Sequence, residues 1–256
     1  MIRLVHLSDI HFAGYGNGWD PHGDQRTELL RDLGRLVLED GRVHGVLVGG
    51  DIAFKAASDE YVTATNWLKS VCEKGECDSS SVWVVPGNHD IDRNSHKRIQ
   101  ARTPFLTEVR AAANDKVDAV LHKWLAEDPA SAGLLRCFDE YNNFAEQFGC
   151  ATSSAEPHWN DTTLDVDGHV LRITGINSVV ASDSSDCIDG NPTLVLGRRQ
   201  CEIPCDAGHI RIAFAHHPPS WVKDWASVEP YLLRAHVLLF GHEHLYRASQ
   251  FAPVKR

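Results

Sequence analysis

The run VHGVLVGGD, ending at Asp51, constrains the fold more than any other stretch of the chain. Its apolar residues are continuous rather than alternating, so the strand they form must be covered on both faces. SVWVVPGNHD at residues 81–90 has the same character, and IRLVHL at residues 2–7 is a short apolar strand whose apolar residues alternate. Between these runs lie segments of helical spacing. One carries Leu29, Leu30, Leu33, Leu36 and Val37, the other Tyr61, Val62, Thr65, Leu68 and Cys72. Strands alternating with helices predict a parallel sheet covered by helices, an α/β class of fold.

From about residue 94 to 149 the pattern turns helical and amphipathic. PFLTEVRAAANDKVDAVLHKWLAED reads as one helical run and GLLRCFDEYNNFAEQFG as another. This segment is read as a helical insertion within a single domain over residues 1–256, a length that suits one large core. TTLDVDG and HVLRITGINSVV then read as strands, joined by a hairpin turn at Asp167-Gly168. HIRIAFAHHPP is a further strand, VEPYLLRA a helix and HVLLFGHEH a strand, and LYRASQF is expected to begin one more.

Composition narrows the classes. No apolar run reaches the ~18 residues of a membrane span. The start, MIRLVHLSDIHF, lacks the basic head and long apolar core of a secretory signal, so a cytoplasmic protein is expected. A formal charge of −10 argues against a surface that coats nucleic acid, which leaves nucleic acid only as a substrate. Seven irregularly spaced cysteines predict free thiols rather than a disulfide framework.

Five apolar strands end in clusters of Asp, Asn and His. These are Asp9 with His11; Asp51; Asn88, His89 and Asp90; His216 with His217; and His242 with His244. Singly, each has an ordinary explanation, such as a loop-capping Asp, a Gly-Asp turn or a strand halted by Pro218-Pro219. Together they do not, because ligands of α/β sheets bind outside the carboxyl ends of the strands. Asp, Asn and His from several strand ends would converge on one crevice, and such mixed donors suit transition metals.

The order Asp-x-His, Gly-Asp, Gly-Asn-His-Asp, His-His-Pro and Gly-His-x-His, running from Asp9 to His244, resembles the calcineurin-like metallophosphoesterase superfamily. Its cyclic-nucleotide phosphodiesterase branch is the most similar in impression. The resemblance implies a two-sheet β-sandwich flanked by helices, an α/β/β/α fold, and two divalent or trivalent metal ions. Mn is the first expectation, and Fe, Zn, Ni or Co also fit. One ion would be held by Asp9, His11, Asp51 and His244, the other by Asp51, Asn88, His216 and His242. The resemblance further implies in-line attack on phosphorus by a hydroxide shared between the metals. His89 would protonate the leaving oxygen, and Asp90 would orient His89 through a hydrogen bond.

Arg93, Asn177 and His217 are candidate substrate contacts, with His217 beside the metal rather than on it. His22 is a candidate for the entrance, and Tyr15, Trp19 and Trp221 for stacking on a ring. The expected activity is hydrolysis of phosphoesters, foremost phosphodiesters of small or nucleotide-like substrates. A repair-type nuclease, whose start LVHLSDIHF resembles, a phosphomonoesterase and a non-catalytic metal-binding scaffold are the alternatives. The superfamily adds strands after its last motif, whereas this sequence stops twelve residues past His244, so a chain cut from a longer one is a further expectation.

Overall fold

A computed structural model of the chain describes residues 1–14, 20–126, 133–153, 159–183, 186–188, 190–205, 207–244 and 248. The first sheet holds β1 (Leu4–Leu7), β2 (Gly45–Val48) and β3 (Val82–Val84), all parallel and in that order. β2 is central and buried throughout, as its unbroken apolar run requires. Helices α1 (Gly23–Asp40) and α2 (Ser58–Gly75) pack together, and Leu33, Val37, Ala64, Leu68 and Val71 enter the core from them. The first turn of α2 is closed by Glu60, whose carboxylate accepts the backbone N–H groups of Ala57 (3.1 Å), Lys55 (2.9 Å) and Gly14 (3.3 Å). Those donors explain how a glutamate can be buried there.

The second sheet contains β4 (Trp159–Val166), β5 (His169–Gly175), β8 (Ile210–Ala215) and β9 (Val237–Phe240), in the order β4-β5-β8-β9. β4 and β5 are antiparallel through the predicted turn at Asp167-Gly168, while β5, β8 and β9 run parallel. A short hairpin, β6 (Cys187–Ile188) with β7 (Asn191–Pro192), lies between β5 and β8 in the chain. β8 shows how this sheet is covered on two sides. Ile212 and Phe214 enter the main core, whereas Ala213 and Ala215 face a second cluster that also contains Val228 and Leu232 of helix α7 (Trp225–Leu232). Alternate residues of a strand point to opposite faces, so both faces of β8 are apolar and both are buried. The main core joins Val46, Val48 and Val84 of the first sheet to Leu171, Ile173 and Phe214 of the second. Two sheets with helices outside them match the α/β/β/α expectation, whereas sequence periodicity alone had pointed to one parallel sheet.

The helical segment after β3 contains α3 (Ser95–Arg98), α4 (Arg102–Ala111), α5 (Val117–Leu125) and α6 (Asp139–Ala145). The single helix expected from Pro104 onward is two helices. The chain is extended at Ala112 and makes a short 3₁₀ turn at Asn114–Lys116, where Asn and Asp compete for backbone hydrogen bonds. Phe105, Leu106, Val109, Phe138, Tyr141 and Phe144 join the same core as the sheets. Arg102 is fully buried and donates to the carbonyls of Val180 (2.8 Å) and Ser182 (2.6 Å), which ties α4 to the turn after β5. All seven cysteines are free. Among the described residues no helix is long and apolar enough to cross a membrane. The strand expected in LYRASQF lies outside the described residues apart from Ala248.

Candidate metal centre

The loops that follow β1, β2, β3, β8 and β9 are knitted together by backbone hydrogen bonds. Asp9 and His11 donate to the carbonyls of Gly50 and Asp51, each at 3.0 Å. Gly241 donates to the His216 carbonyl at 2.9 Å, and His242 N–H donates to Asp9 Oδ2 at 3.0 Å, which joins the two sheets. Two glycines of the motifs allow this approach. A Cβ on Gly87 would stand 2.2 Å from Asp51 Oδ1. Gly50 has φ +87°, and a Cβ there would stand 2.8 Å from His216 Nδ1. The backbone at the cluster is itself strained. Asp9 (φ 56°), His11 (52°), Asp51 (51°), His242 (70°) and His244 (50°) all occupy the left-handed region that L-residues avoid. Such outliers concentrate where a site holds side chains in imposed directions.

The side chains converge accordingly. Possible ligand atoms of Asp9, His11 and His244 lie within 4.8 Å of one another, as do those of Asp9, Asp51 and His216 and those of His11, Asp51 and His89. Asp51 sits in the middle. Its Oδ2 is 3.3 Å from His216 Nε2 and 3.8 Å from His11 Nε2, while its Oδ1 accepts the His89 backbone N–H at 2.8 Å. His216 Nδ1 donates to the Gly49 carbonyl at 2.8 Å, which leaves Nε2 as the atom facing Asp51. His242 Nδ1 lies 3.3 Å from that Nε2, and His244 Nε2 lies 3.6 Å from Asp9 Oδ1. Asp9 Oδ1 and Asn88 Oδ1 are buried with no hydrogen-bond partner among the described residues. A buried oxygen without a donor is costly, and a bound cation removes that cost.

Electrostatics points the same way. Burial acts to raise the Asp51 carboxyl, yet His216 and the His89 N–H outweigh it and hold the group well below the usual carboxylate range. Burial likewise opposes charge on His216, but the Asp51 carboxylate overcomes it and raises the ring to about 9. His242, desolvated and facing His216, is lowered to about 4. A cation between these groups would displace the His216 proton and accept lone pairs from the carboxylates and imidazoles gathered there. Nitrogen and oxygen donors with no thiolate are a set that transition metals take readily.

Several expectations need correction. Asp90 makes no hydrogen bond to the His89 ring. It is fully buried, and its oxygens accept the backbone N–H groups of Ile52 (3.1 Å), Ala53 (2.9 Å) and Gly87 (2.9 Å) and the Tyr61 hydroxyl (3.1 Å). Burial, and then the charge of Asp51, raises its carboxyl to about 7. The His89 ring is held instead by the Phe54 carbonyl, 2.7 Å from Nδ1, and it stacks on the Phe54 ring at 5.3 Å. Asn177, expected to reach the crevice, is buried in a turn where its Oδ1 accepts the Val179 N–H at 2.9 Å. His217, expected to touch substrate, is 1% exposed.

Arg93 donates through Nε to the Asn88 carbonyl at 3.0 Å, next to the motif as expected. His22 precedes the exposed start of α1, with its Nδ1 2.9 Å from Gln25 Oε1. Trp221 stands edge-on to His242 at 4.2 Å. Tyr15 and Trp19 lie outside the described residues. Phe54 was not singled out from sequence. It is 44% exposed and also meets the His11 ring edge-on at 6.1 Å. The available signal was a large apolar side chain three residues past Asp51, in a loop between a motif and a helix.

A family model described as calcineurin-like phosphoesterase matches residues 2–246 of the chain. No curated protein matches it.

Proposed function

Because the chain belongs to the calcineurin-like phosphoesterase family, whose members hydrolyse phosphoesters with metal ions, we propose that it cleaves phosphodiesters of small or nucleotide-like substrates. The supporting observation is a pair of aromatic rings, one beside each histidine group. Phe54 borders His11 and His89, and Trp221 borders His242. A diester carries two organic arms on one phosphorus, and a ring on each side offers each arm an apolar contact. A monoester dianion gains more from added cationic donors. Arg93, three residues past Asp90, is bonded to the Asn88 carbonyl.

In this reading residues 1–256 form one phosphoesterase domain. Asp9, His11, Asp51 and His244 hold one metal, and Asp51, Asn88, His216 and His242 hold the other, with Mn as the favoured ion. When bound, the ions supply a water nucleophile at neutral pH and neutralise charge on the phosphoryl oxygens. Asp51 serves both groups because it lies between His11 and His216. The Gly49 carbonyl fixes the His216 tautomer. With Nδ1–H donated to the Phe54 carbonyl, a protonated His89 carries its second proton on Nε2 and transfers it to the departing oxygen.

The test is a comparison of initial rates on bis-p-nitrophenyl phosphate and p-nitrophenyl phosphate, using metal-stripped protein reloaded with Mn and an Asn88→Ala variant beside it. Faster diester cleavage that depends on metal and vanishes in the variant is expected. Faster monoester cleavage would replace the reading with a phosphatase. Absence of turnover, with ions bound, would favour a scaffold.

A further inference from the structure

One buried histidine in this cluster is not accounted for by the ligand sets above. His217 is 1% exposed, and its Nε2 is buried without a hydrogen-bond partner among the described residues. The other ring nitrogen, Nδ1, lies 2.9 Å from Ser178 Oγ, and the same hydroxyl accepts the His217 backbone N–H at 3.1 Å. A serine oxygen has two lone pairs, so it can accept both protons. That tautomer leaves the Nε2 lone pair free. The ring centroid stands 4.7 Å from that of His216 and 4.4 Å from that of His242. Possible ligand nitrogens of all three rings lie within 4.8 Å of one another.

We propose that His217 is a third imidazole ligand of the metal held by His216 and His242, anchored through Nδ1 by Ser178. A purely structural histidine would be expected to have both ring nitrogens satisfied, since a buried polar atom left unpaired is costly. Here one nitrogen is anchored at Ser178, the other is buried without a partner among the described residues, and a possible ligand nitrogen of the ring lies within 4.8 Å of those of His216 and His242. The two metal positions then differ in kind. One takes Asp9, His11, Asp51 and His244. The other adds a third nitrogen to Asp51, Asn88, His216 and His242, which raises its affinity for imidazole-preferring ions such as Zn and Ni relative to the first position. This inference rests on the binuclear reading above.

Zinc binding to metal-stripped protein tests it by calorimetry, with no turnover required. His217→Asn keeps an amide near the Nδ1 position to bond Ser178 and removes the Nε2 ligand. It is expected to weaken one of two zinc sites about 10–100-fold, the size seen when metal-site partners are lost. The other site should be unchanged. Ser178→Ala should weaken the same site by less. In wild-type protein with ¹⁵N-labelled histidine, zinc should shift the Nε2 of His217 together with the nitrogens of His11, His216, His242 and His244. This spectrum needs no variant to fold. Two unaltered zinc sites in His217→Asn, or a His217 Nε2 resonance that zinc does not move, would overturn the proposal alone. Wild-type protein that binds no zinc or Mn would overturn both the proposal and the binuclear reading.

Discussion

The two carboxylate oxygens of Asp90 accept three backbone N–H groups and the Tyr61 hydroxyl, so this residue fixes the loop after β2 against the loop after β3. Each N–H orphaned in that buried setting costs about 1–3 kcal/mol. Asp90→Ala is therefore expected to lower the urea midpoint of the metal-free protein sharply, with Asp90→Asn, which keeps one acceptor, intermediate. Equal midpoints for wild type and Asp90→Ala would refute the role. His216 allows a second test. Its ring is raised to about 9, so it carries a proton at neutral pH when no metal is bound, and ligation requires the neutral form. Metal binding must displace that proton. Affinity should rise with pH up to about 9, and calorimetric heats at pH 7 should vary with the ionisation enthalpy of the buffer. Heats independent of the buffer would show that the ring was already neutral.

At the scale of elements, the glycines of the motifs let neighbouring loops touch. A Cβ on Gly87 would stand 2.3 Å from the Asp51 backbone nitrogen, a contact that no side-chain rotation relieves. Gly87→Ala should separate the β2 and β3 loops and lose both stability and metal, measurable as a lowered melting temperature with less than stoichiometric Mn. Normal Mn content in that variant would show the loops to be compliant. Much at this scale was legible in the sequence. Apolar runs marked β1, β2, β3, β8 and β9, and each ended in the polar residues now found together; in β2 and β3, buried throughout, only the strand ends are left for polar groups. The break between α4 and α5 was less legible, since apolar periodicity continues across it and only Asn114 and Asp115 betray the turn. Asp90 was misread for a related reason. Adjacency to His89 in sequence suggested a contact, while its actual partners, Ile52, Ala53 and Tyr61, lie on other elements. The two-sheet arrangement was legible only through the family resemblance, as periodicity reports that a strand is covered but not by what.

For the whole molecule, the centre lies where the strand ends of both sheets meet. Asp9, His11, Asp51 and Asn88 follow strands of the first sheet, and His216, His242 and His244 follow strands of the second. Direct hydrogen bonds between the two groups among the described residues include His242 N–H on Asp9 and His216 Nδ1–H on the Gly49 carbonyl. In the proposed ligand sets, metal ions act as cross-links between the sheets. At free metal one hundred times the dissociation constant, a single site adds about 2.7 kcal/mol to the stability of the fold. Mn should thus raise the melting temperature and slow amide exchange at the ends of both sheets together. Protection confined to one sheet would refute the cross-link.

The left-handed backbone at Asp9, His11, Asp51, His242 and His244 sets durability against activity. A left-handed conformation costs an L-residue roughly 1–2 kcal/mol, and glycine avoids most of that cost. His244 shows the conflict most simply, because its side chain is 63% exposed and little packing is lost with it. Melting the metal-free His244→Gly protein should show a gain of up to about 1 kcal/mol even as one proposed ligand disappears. Laboratory evolution for heat resistance without metal would then drift toward glycine at His244 and produce a hardier protein with a depleted site.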